Sequence, residues 1–582
     1  MRKTWKSALS IALGAALLLS VALFAGAADP GLKVLVASDI HYRPLSELPP
    51  LSQVNGLPGD PIYYHVNEKG MLSYEADAVL DAFFKKAEQS GAKYLLIPGD
   101  LSEDGYRAEH LAIAEKLEAF QKRSGIQVFV VPGNHDFRYP DPKGRMELSD
   151  FPKVYAKLGY DKALARFGGE ASYTAELSGG YRLLAICGIY EEATNTVSPE
   201  LFAWIEEQAH AAQKDGKKLV AMTHYSVLDH FLVEGFAGSL LAVEGYRGLA
   251  TMLADLGVKY VFTGHVHAND ISHAVTARGN KIFDVETCCL LTYPNAWREV
   301  TFSGASVKIE TKYVDRIDTS LLPEGFSQAQ IDRMEDDFQS YSQRFFRAAF
   351  QSYALMIPDL TETLADALGI AEGAPAYAAI EAAVAALTEA AQLPLYGETG
   401  SVEAKASSVE ALAKKAGVTL APSEYANLLD LAGAIYVGHY AGNEDFPMES
   451  LEMVLLGQAI NAVLVTALMD MPLKAVNALL AAFGSPLVIP ATGIPLALAA
   501  RRIYMRVPAR VVTNELVRML AAGIINDWST PDDLNAELEP YGESWDLDGH
   551  AVKITDLSFI LDAVLRITKM VLRIIVKVSP FA

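Results

Sequence analysis

Between residues 32 and 314 the chain alternates short β-branched runs with patterns typical of helices. The runs read KVLVAS, YLLIPG, VFVVPG, RLLAICG, KLVAMTH, KYVFTGH, IFDVE and VKIETKYV. Between the first two of them, Glu75 to Gln89 places apolar residues at i, i+3 and i+4 and stops at Ser90-Gly91, which predicts a helix. Strands that alternate with helices indicate a layered α/β domain.

The second half of the chain has a different pattern. From about residue 320 the β-branched runs give way to segments rich in Ala and Leu that Pro and Gly interrupt, which predicts a mainly helical region. A length of 582 residues also exceeds what one domain usually holds. We therefore predict a targeting segment at 1–28, an α/β domain at 29–318 and an α-helical C-terminal domain at 319–582.

The N-terminus has the features of an export signal. Three basic residues precede an apolar run at about 8–24, and small residues follow it before Asp29-Pro30. We predict cleavage near Ala27 or Ala28, and hence a protein that is exported to the extracellular space, the cell surface or the periplasm. The alternative is an uncleaved membrane anchor, since the apolar run is longer than the usual signal core of about 7–15 residues.

The charge of the chain argues against nucleic acid as a bulk partner, and its cysteine content argues against a disulfide framework. Acidic residues outnumber basic ones by 71 to 49, a net charge of −22, so most of the surface would repel a polyanion and nucleic acid is not expected as a bulk partner. The three cysteines, Cys187, Cys288 and Cys289, are too few for a disulfide framework. A bridge from Cys187 to one of the pair is one alternative, and buried free thiols are the favoured one.

Polar side chains of the metal-ligand type follow five of the predicted strands. In an α/β sheet, ligands bind at the carboxyl ends of the strands, so these groups are expected to converge on one place. Residues i and i+2 at a strand end project to the same side, which lets two of them act together. The residues are Asp39, His41, Asp100, Asn134, His135, His224, His265 and His267.

Imidazole and carboxylate together are preferred by zinc, iron, manganese and related divalent ions. Without His135, seven such groups remain, which are too many for one tetrahedral ion, whereas two cations about 3.5–4 Å apart that share Asp100 and keep open positions for water account for them. Gly99, Gly133 and Gly264 let the chain leave each strand sharply, where a side chain would crowd the site.

Five blocks occur in order, SDIHY, GDLSEDG, GNHD, THYS and GHVH. Together they resemble the signature of the calcineurin-like metallophosphoesterases, which runs DxH, GDxxxD, GNHD, a single His and GHxH. The resemblance covers roughly residues 32 to 314. It implies a four-layer αββα sandwich of two mixed sheets for the domain at 29–318. It also implies a division of ligands: Asp39, His41 and His267 for one metal, Asn134, His224 and His265 for the other, and Asp100 between them.

The resemblance further implies that His135 meets the leaving-group oxygen or the charge that develops on the phosphoryl group, with Asp136 or Asp104 as its orienting partner. For Asp104, capping of a helix that starts near Tyr106 is an equal alternative. Two cations, of Mn, Fe or Zn, would generate a bridging hydroxide near neutral pH and align it with phosphorus.

These features predict an exported, metal-dependent hydrolase of small phosphate esters. Phosphatase and phosphodiesterase activity both stay open, and the latter includes cyclic nucleotides and lipid headgroups at a membrane surface. From another class, the alternative is a noncatalytic surface binding protein stabilised by metal, which is disfavoured because it gives His135 no purpose.

Outside the five blocks, three residues are candidates for contact with the substrate. Tyr64 and His65, in the long segment 43–73, are predicted to line the substrate cleft, although a loop packed on its own aromatic residues is favoured. Arg298 is predicted to contact phosphate. Four further histidines are expected at the surface, namely His110, His210, His230 and His273.

The helical half contains one run, LLGQAINAVLVTALM, that is apolar but carries Gln458 and Asn461 and is too short to cross a bilayer comfortably. We expect it to be a buried helix. A last helix, at about 557–578, has a narrow charged stripe that is mostly basic on an otherwise apolar surface. It could contact a membrane peripherally through that stripe, or be a mostly buried helix with a solvated edge, which is favoured.

Overall fold

The computed structural model describes most of the chain between residues 31 and 541. The described residues are 31–51, 70–138, 144–168, 171–188, 197–230, 246–355, 361, 365, 370–397, 408–442, 446, 449–469, 473–482, 506, 509–510, 513, 517 and 533–541. The predicted signal segment, Tyr64, His65 and the predicted helix at 557–578 lie outside them.

The first sheet has six strands in the order β13-β12-β11-β1-β2-β3. It is mixed, since β1 runs parallel to β2 and antiparallel to β11. The strands β1, β2 and β3 are apolar almost throughout, as expected where helices cover one face and a second sheet the other. Its strands are β1 Leu32–Val36, β2 Tyr94–Pro98, β3 Gln127–Val131, β11 Ala296–Phe302, β12 Val307–Tyr313 and β13 Asn535–Leu538.

The second sheet has seven strands in the order β4-β5-β6-β7-β8-β10-β9. Its centre, β6 to β10, is parallel, and the strands at its two edges are antiparallel. Its strands are β4 Ala163–Arg166, β5 Tyr173–Glu176, β6 Tyr181–Ala185, β7 Lys218–Met222, β8 Tyr260–Thr263, β9 Asp270–Val275 and β10 Lys281–Glu286.

Helices cover the outer faces of both sheets. The predicted helix at 75–89 is confirmed as α1, whose Phe83 packs edge-on against Trp297 of the first sheet at 5.2 Å between ring centroids. The helices of this half are α1 Ala76–Gln89, α2 Arg107–Ser124, α3 Phe151–Val154, α4 Pro199–Lys214 and α5 Tyr246–Asp255. Helix α2 contacts β3, α4 contacts β7 and α5 contacts β10.

The two sheets pack face to face. Phe302 of the first sheet meets Tyr260 and Phe262 of the second, with ring centroids 5.8 and 6.5 Å apart. One continuous core of buried residues joins both sheets and their helices. The predicted four-layer sandwich is thereby confirmed.

The second half is helical, as predicted, and has a core of its own built around Leu431, Leu455 and Val465. The run that contains Gln458 is a helix, and Gln458 Oε1 accepts a hydrogen bond from the Ala421 N–H at 2.6 Å. The helices are α6 Gln328–Asp336, α7 Phe338–Leu355, α8 Pro375–Ala391, α9 Val409–Ala416, α10 Leu428–Ala441, α11 Leu451–Met469 and α12 Leu473–Ala482.

Two parts of this half join the sandwich. Helix α7 contributes Phe338, Tyr341 and Phe345 to the core of the sheets. Residues 533–541, which we call the C-terminal clasp, supply β13, whose residue Ala536 pairs with Ile309 at the edge of the first sheet. The sandwich therefore uses residues from beyond 319, and the boundaries at 1–28, 29–318 and 319–582 stay predictions.

Among the described residues, no helix is both long and apolar enough to cross a membrane. The three cysteines are buried free thiols, the alternative favoured from the sequence.

Candidate metal centre

The candidate ligands lie just beyond the carboxyl ends of five strands, in the crevice between the two sheets. Asp39 and His41 follow β1, Asp100 follows β2, Asn134 follows β3, His224 follows β7, and His265 and His267 follow β8. All of them except Asn134, which is half-buried, are buried. Residues from positions 39 to 267 thus meet in one place, as the sequence predicts.

The backbone at the site is strained. Among the described residues, six other than glycine have a positive φ, and five of these are candidate ligands: Asp39, His41, Asp100, His265 and His267, with φ between 46° and 76°. Such backbone costs roughly 1–3 kcal/mol per residue and persists only where the surrounding structure enforces it. Its concentration here indicates that the strand ends are shaped to aim these side chains.

A first group of ligand atoms surrounds Asp39 Oδ1. The Nε2 atom of His267 lies 3.2 Å from it and that of His41 3.8 Å, while the two Nε2 atoms are 2.9 Å apart. Ligands bound to one ion at about 2.0–2.2 Å are separated by about 3–3.5 Å, so these spacings suit a shared cation.

A second group surrounds Asn134 Oδ1. His224 Nε2 lies 2.9 Å from it and His265 Nδ1 3.0 Å, and the two nitrogens are 3.3 Å apart. These three atoms are spaced somewhat more closely than those of the first group and could also share a cation.

The carboxylate of Asp100 connects the two groups. Its Oδ2 lies 3.5 Å from His41 Nε2 in the first group and 3.3 Å from His224 Nε2 in the second. Its Oδ1 accepts a hydrogen bond from the His135 N–H at 2.8 Å, which fixes the carboxylate. Asp100 therefore has the shared position that the sequence predicts for it.

The tautomer of His224 indicates that the site needs a positive charge. Its Nδ1 donates to the Pro98 carbonyl at 2.9 Å, so in the neutral ring Nε2 carries a lone pair. That lone pair faces Asp100 Oδ2, a buried oxygen that has no hydrogen bond within the described part of the chain. Two lone pairs at this distance repel unless a proton or a cation lies between them.

The pKa values of His41 and His224 also indicate that the site favours positive charge. Burial alone lowers the pKa of His41, but Asp39 and Glu103 outweigh it and raise the pKa to about 10. Burial likewise lowers the pKa of His224, and Asp100 raises it to about 9. The carboxylates thus attract protons in the absence of metal, and a divalent cation would replace those protons.

The three predicted glycines do lie against the ligands. A Cβ on Gly99 would overlap the His224 ring, one on Gly133 would overlap Asp100 Oδ1, and one on Gly264 would overlap Asp39 Oδ2. Glycine is required here because these backbones approach the ligand side chains too closely for any Cβ.

Glu103 is a functional residue that the sequence reasoning missed. Its Oε2 lies 2.7 Å from His41 Nδ1, and its backbone carbonyl accepts from His135 Nδ1 at 2.6 Å. A carboxylate that accepts from the far nitrogen of a ligating histidine fixes the ring and increases its basicity. The sequence signal is the acidic residue directly before Asp104 in GDLSEDG.

His135 is buried beside the cluster, and its ring centroid is 4.5 Å from that of His41. The predicted orienting partners are corrected: Glu103 makes the orienting contact through its carbonyl, whereas Asp136 and Asp104 bind other groups. Asp136 accepts from the backbone N–H groups of Ser102 and Gly133, both at 2.9 Å, and so holds two site loops together.

Asp104 forms an ion pair with Arg43. The cap predicted for Asp104 is also wrong. The side chain at the start of α2 that accepts hydrogen bonds is Glu109, from the N–H groups of Asp104 at 2.9 Å and Tyr106 at 3.3 Å.

Arg298 is not at the cluster. It is fully buried in β11, where it donates to the Thr311 hydroxyl and to the carbonyls of Asp533 and Glu286. A guanidinium committed to these groups inside the sandwich cannot meet a phosphate, so that prediction is wrong. The prediction rested on the likeness of Leu290–Val300 to a stretch that follows GHxH in related enzymes, where an arginine lies near the site. In this chain the Arg298 side chain turns into the sandwich instead.

Two of the four remaining histidines are also not at the surface. His110 is buried and accepts or donates to Tyr155 at 2.8 Å, and His230 is buried 3.0 Å from Asp270. Buried polar partners, which a single sequence does not reveal, account for both. His210 and His273 are exposed as predicted.

These residues fit divalent transition-metal ions. The donors are imidazole, carboxylate and amide oxygen without thiolate, the set suited to manganese, iron and zinc. Among the described residues, three groups have the spacing to hold an ion: Asp39, His41, Asp100 and His267; Asp100, His224 and His265; and His41, Glu103 and His135.

Comparison with known proteins agrees with this geometry. Residues 32–269 match the family model described as calcineurin-like phosphoesterase. The chain carries a calcineurin-like phosphoesterase domain. No curated protein matches the sequence.

Several solved structures resemble the phosphoesterase domain and its surroundings. A dimetal phosphatase from Danio rerio has a TM-score of 0.36 and 11% identity, covering 50% of this chain and 98% of its own. Purple acid phosphatase PPD1 from yellow lupin, Lupinus luteus, has a TM-score of 0.32 and 12% identity, covering 49% of this chain and 51% of its own. The phosphopantetheinyl hydrolase of Mycobacterium tuberculosis has a TM-score of 0.24 and 14% identity, with 45% and 91% covered.

Proposed function

We propose that this phosphoesterase is an exported hydrolase of small phosphate esters that works with two divalent cations. The observation that carries the proposal is the position of Asp100 Oδ2, 3.5 Å from one ligand group and 3.3 Å from the other. A single carboxylate oxygen that faces both groups is the geometry a pair of cations needs.

The chain's own residues supply the binding site. Asp39, His41 and His267 would hold one cation, Asn134, His224 and His265 would hold the other, and Asp100 would be shared by both. When bound, the two cations activate a water molecule and neutralise charge on the phosphate. The buried donors exclude bulk water from the site, which strengthens every electrostatic interaction in it.

His135 serves the leaving-group side. Its Nδ1 donates to the Glu103 carbonyl at 2.6 Å, which fixes the ring and makes Nε2, 3.1 Å from Arg138 Nη1, the nitrogen that would meet the substrate. A fixed imidazole at this place can form a hydrogen bond to an oxygen on the phosphorus. That gives His135 a use that a purely structural metal site lacks.

The test compares 4-nitrophenyl phosphate with bis(4-nitrophenyl) phosphate after reconstitution with Mn, Fe or Zn. Hydrolysis of at least one ester is expected to require added metal and to fall at least 100-fold in Asp100→Asn, while the exposed Asp161→Asn retains it. The faster ester assigns the enzyme as phosphatase or phosphodiesterase. Bound metal without hydrolysis of any ester, including cyclic nucleotides and lipid headgroups, would favour the noncatalytic binding protein instead.

Export is part of the proposal, supported by the basic, apolar and small-residue regions at 1–28. Protein recovered from outside the cytoplasm of an expressing host is expected to begin at Ala28 or Asp29. An intact Met1 in that fraction would show an uncleaved anchor.

Peripheral membrane contact through the helix predicted at 557–578 is a further proposal, supported by its basic stripe. Flotation of the signal-cleaved protein with anionic vesicles, with and without the residues after Asp556, tests it. Loss of flotation on truncation is expected, and failure of both forms to float would reject the contact.

A further inference from the structure

Arg138 lies directly against the catalytic histidine. It follows the short helix His135–Phe137, and its side chain turns back so that Nη1 is 3.1 Å from His135 Nε2. The guanidinium is exposed, whereas His135 is buried. Arg138 thus brings a positive charge to the solvent side of the metal centre.

Within the described part of the chain, the contact leaves this charge uncompensated. A carbonyl only accepts, so the 2.6 Å bond to the Glu103 carbonyl places the proton of His135 on Nδ1. A guanidinium only donates, so Nε2 meets Arg138 with its lone pair. The partner of Arg138 is therefore a neutral acceptor, which binds a cation more weakly than an anion would.

Two other arginines, in contrast, are paired with carboxylates. Arg43 is paired with Asp104 and Glu109, and Arg107 is paired with Asp150 at 3.1 Å. Arg138 has no carboxylate within ion-pair distance anywhere in the described part of the chain, although the whole chain has 71 acidic residues against 49 basic ones. An arginine that is held in place but not neutralised, beside a metal centre, is suited to binding an anion.

We propose that Arg138 is a substrate-binding residue that takes hold of the phosphate group. The proposal rests on the proposed function and adds to it the residue that contacts the nonbridging oxygens. The guanidinium leaves His135 Nε2 and donates two parallel hydrogen bonds to the phosphate, for which its planar fork is matched. This exchange also releases His135 Nε2 toward the oxygen that departs.

The test uses Arg138→Gln, with Arg278→Gln as the matched control. Arg278 is also exposed and loses the same charge, but it lies on the turn after β9 and is paired with Asp255 at 3.6 Å. Two quantities are measured on metal-loaded protein: the inhibition constant of inorganic phosphate and the KM of the better nitrophenyl ester. Arg138→Gln is expected to raise both about tenfold or more, and Arg278→Gln to leave both within twofold.

Arg138→Lys should recover part of the phosphate affinity, because it keeps the charge and loses the fork. Both Arg138 variants are expected to retain the metal content of the wild type. Phosphate inhibition unchanged in Arg138→Gln would overturn the proposal, and so would loss of metal, since that would mean the residue supports the ligands instead.

Failure of the proposed function is distinguishable from failure of this inference. If the metal-loaded wild type hydrolysed no ester, the enzyme assignment would fall, and calorimetric binding of inorganic phosphate to the same protein would still report on Arg138. Equal phosphate affinity of the wild type and Arg138→Gln in that experiment would reject the anion site by itself.

Discussion

Glu103 holds two important side chains with different atoms. Its carboxylate fixes the ligand His41 and its carbonyl fixes His135, at 2.7 and 2.6 Å. The orientation of the candidate ligand His41 and that of the His135 ring are therefore coupled through one residue. A change in the carboxylate alone should affect the metal and leave the carbonyl contact in place.

Glu103→Gln tests this division. The neutral amide accepts from His41 Nδ1 more weakly, so metal affinity is expected to fall about 10-fold to 100-fold. Competition with a chelator measures the affinity, and Glu118→Gln, which removes a carboxylate at the surface of α2, is the control. Equal affinity in Glu103→Gln and the wild type would show that the carboxylate does not support the ligand.

Glu75 is a buried carboxyl with a different role. It lies at the start of α1, where Oε1 accepts from the Tyr341 hydroxyl of α7 at 2.6 Å. Burial raises its pKa to about 7 against the opposing effect of that hydrogen bond. The folded protein therefore holds this proton more tightly than the unfolded chain, and stability falls as pH rises from about 4.5 through 7.

Glu75→Gln should remove that dependence, since the amide can keep the hydrogen bond without a charge. The free energy of unfolding of the variant minus that of the wild type is expected to rise by about 2 kcal/mol from pH 5 to pH 8.5. This corresponds to a relative rise of roughly 5 °C in the unfolding midpoint. Thermal unfolding at the two pH values measures it, with the exposed Glu115→Gln as control. A stability difference that is the same at both pH values would contradict a raised pKa.

At the residue scale, the sequence predicts ligands better than their supports. Asp39, His41 and the others follow strands at fixed spacings, and strand ends converge in this class of fold, so their meeting follows from pattern alone. The groups that Glu103 and Arg298 contact depend on the direction in which each side chain points in the folded protein. No spacing in the sequence encodes that direction.

At the scale of elements, the C-terminal clasp is the least expected feature. Its strand β13 pairs with β12 of the first sheet, while Glu539 forms ion pairs with Lys259 at 3.2 Å and Lys281 at 2.6 Å beside the second. The clasp therefore spans both sheets at one edge of the sandwich. Strand β13 has four residues, which is too short to show a periodic pattern in the sequence. Its partner strand lies more than 200 positions earlier, so no local pattern indicates the pairing.

Substitutions of Tyr541 test how much the clasp contributes to the stability of the sandwich. Its ring packs on Tyr181 and Tyr260, both at 5.7 Å between centroids, and its hydroxyl donates to the Leu219 carbonyl. Tyr541→Ala should destabilise the sandwich by about 3–5 kcal/mol, and Tyr541→Phe, which loses only the hydrogen bond, by about 1 kcal/mol. Thermal unfolding measures both, and an unchanged midpoint in Tyr541→Ala would show that the clasp is dispensable.

At the scale of the whole molecule, the chain has two main hydrophobic cores, one in the sandwich and one among helices α8 to α12. Helix α10 links them near the site, since the Tyr440 carbonyl accepts from the Asn269 N–H at 3.3 Å, two residues after His267. The change in sequence pattern near residue 320 predicts the helical half. It does not predict that α7 and the clasp would return to the first core.

The central claim is that seven side chains hold two cations around the Asp100 carboxylate. Elemental analysis of metal-loaded, gel-filtered protein tests it most directly, in the wild type, Asp100→Asn and the surface control Asp161→Asn. The account predicts two divalent ions per chain in the wild type and the control, and at most one in Asp100→Asn. A wild type that binds fewer than two, or an Asp100→Asn variant that retains both with activity, would contradict it.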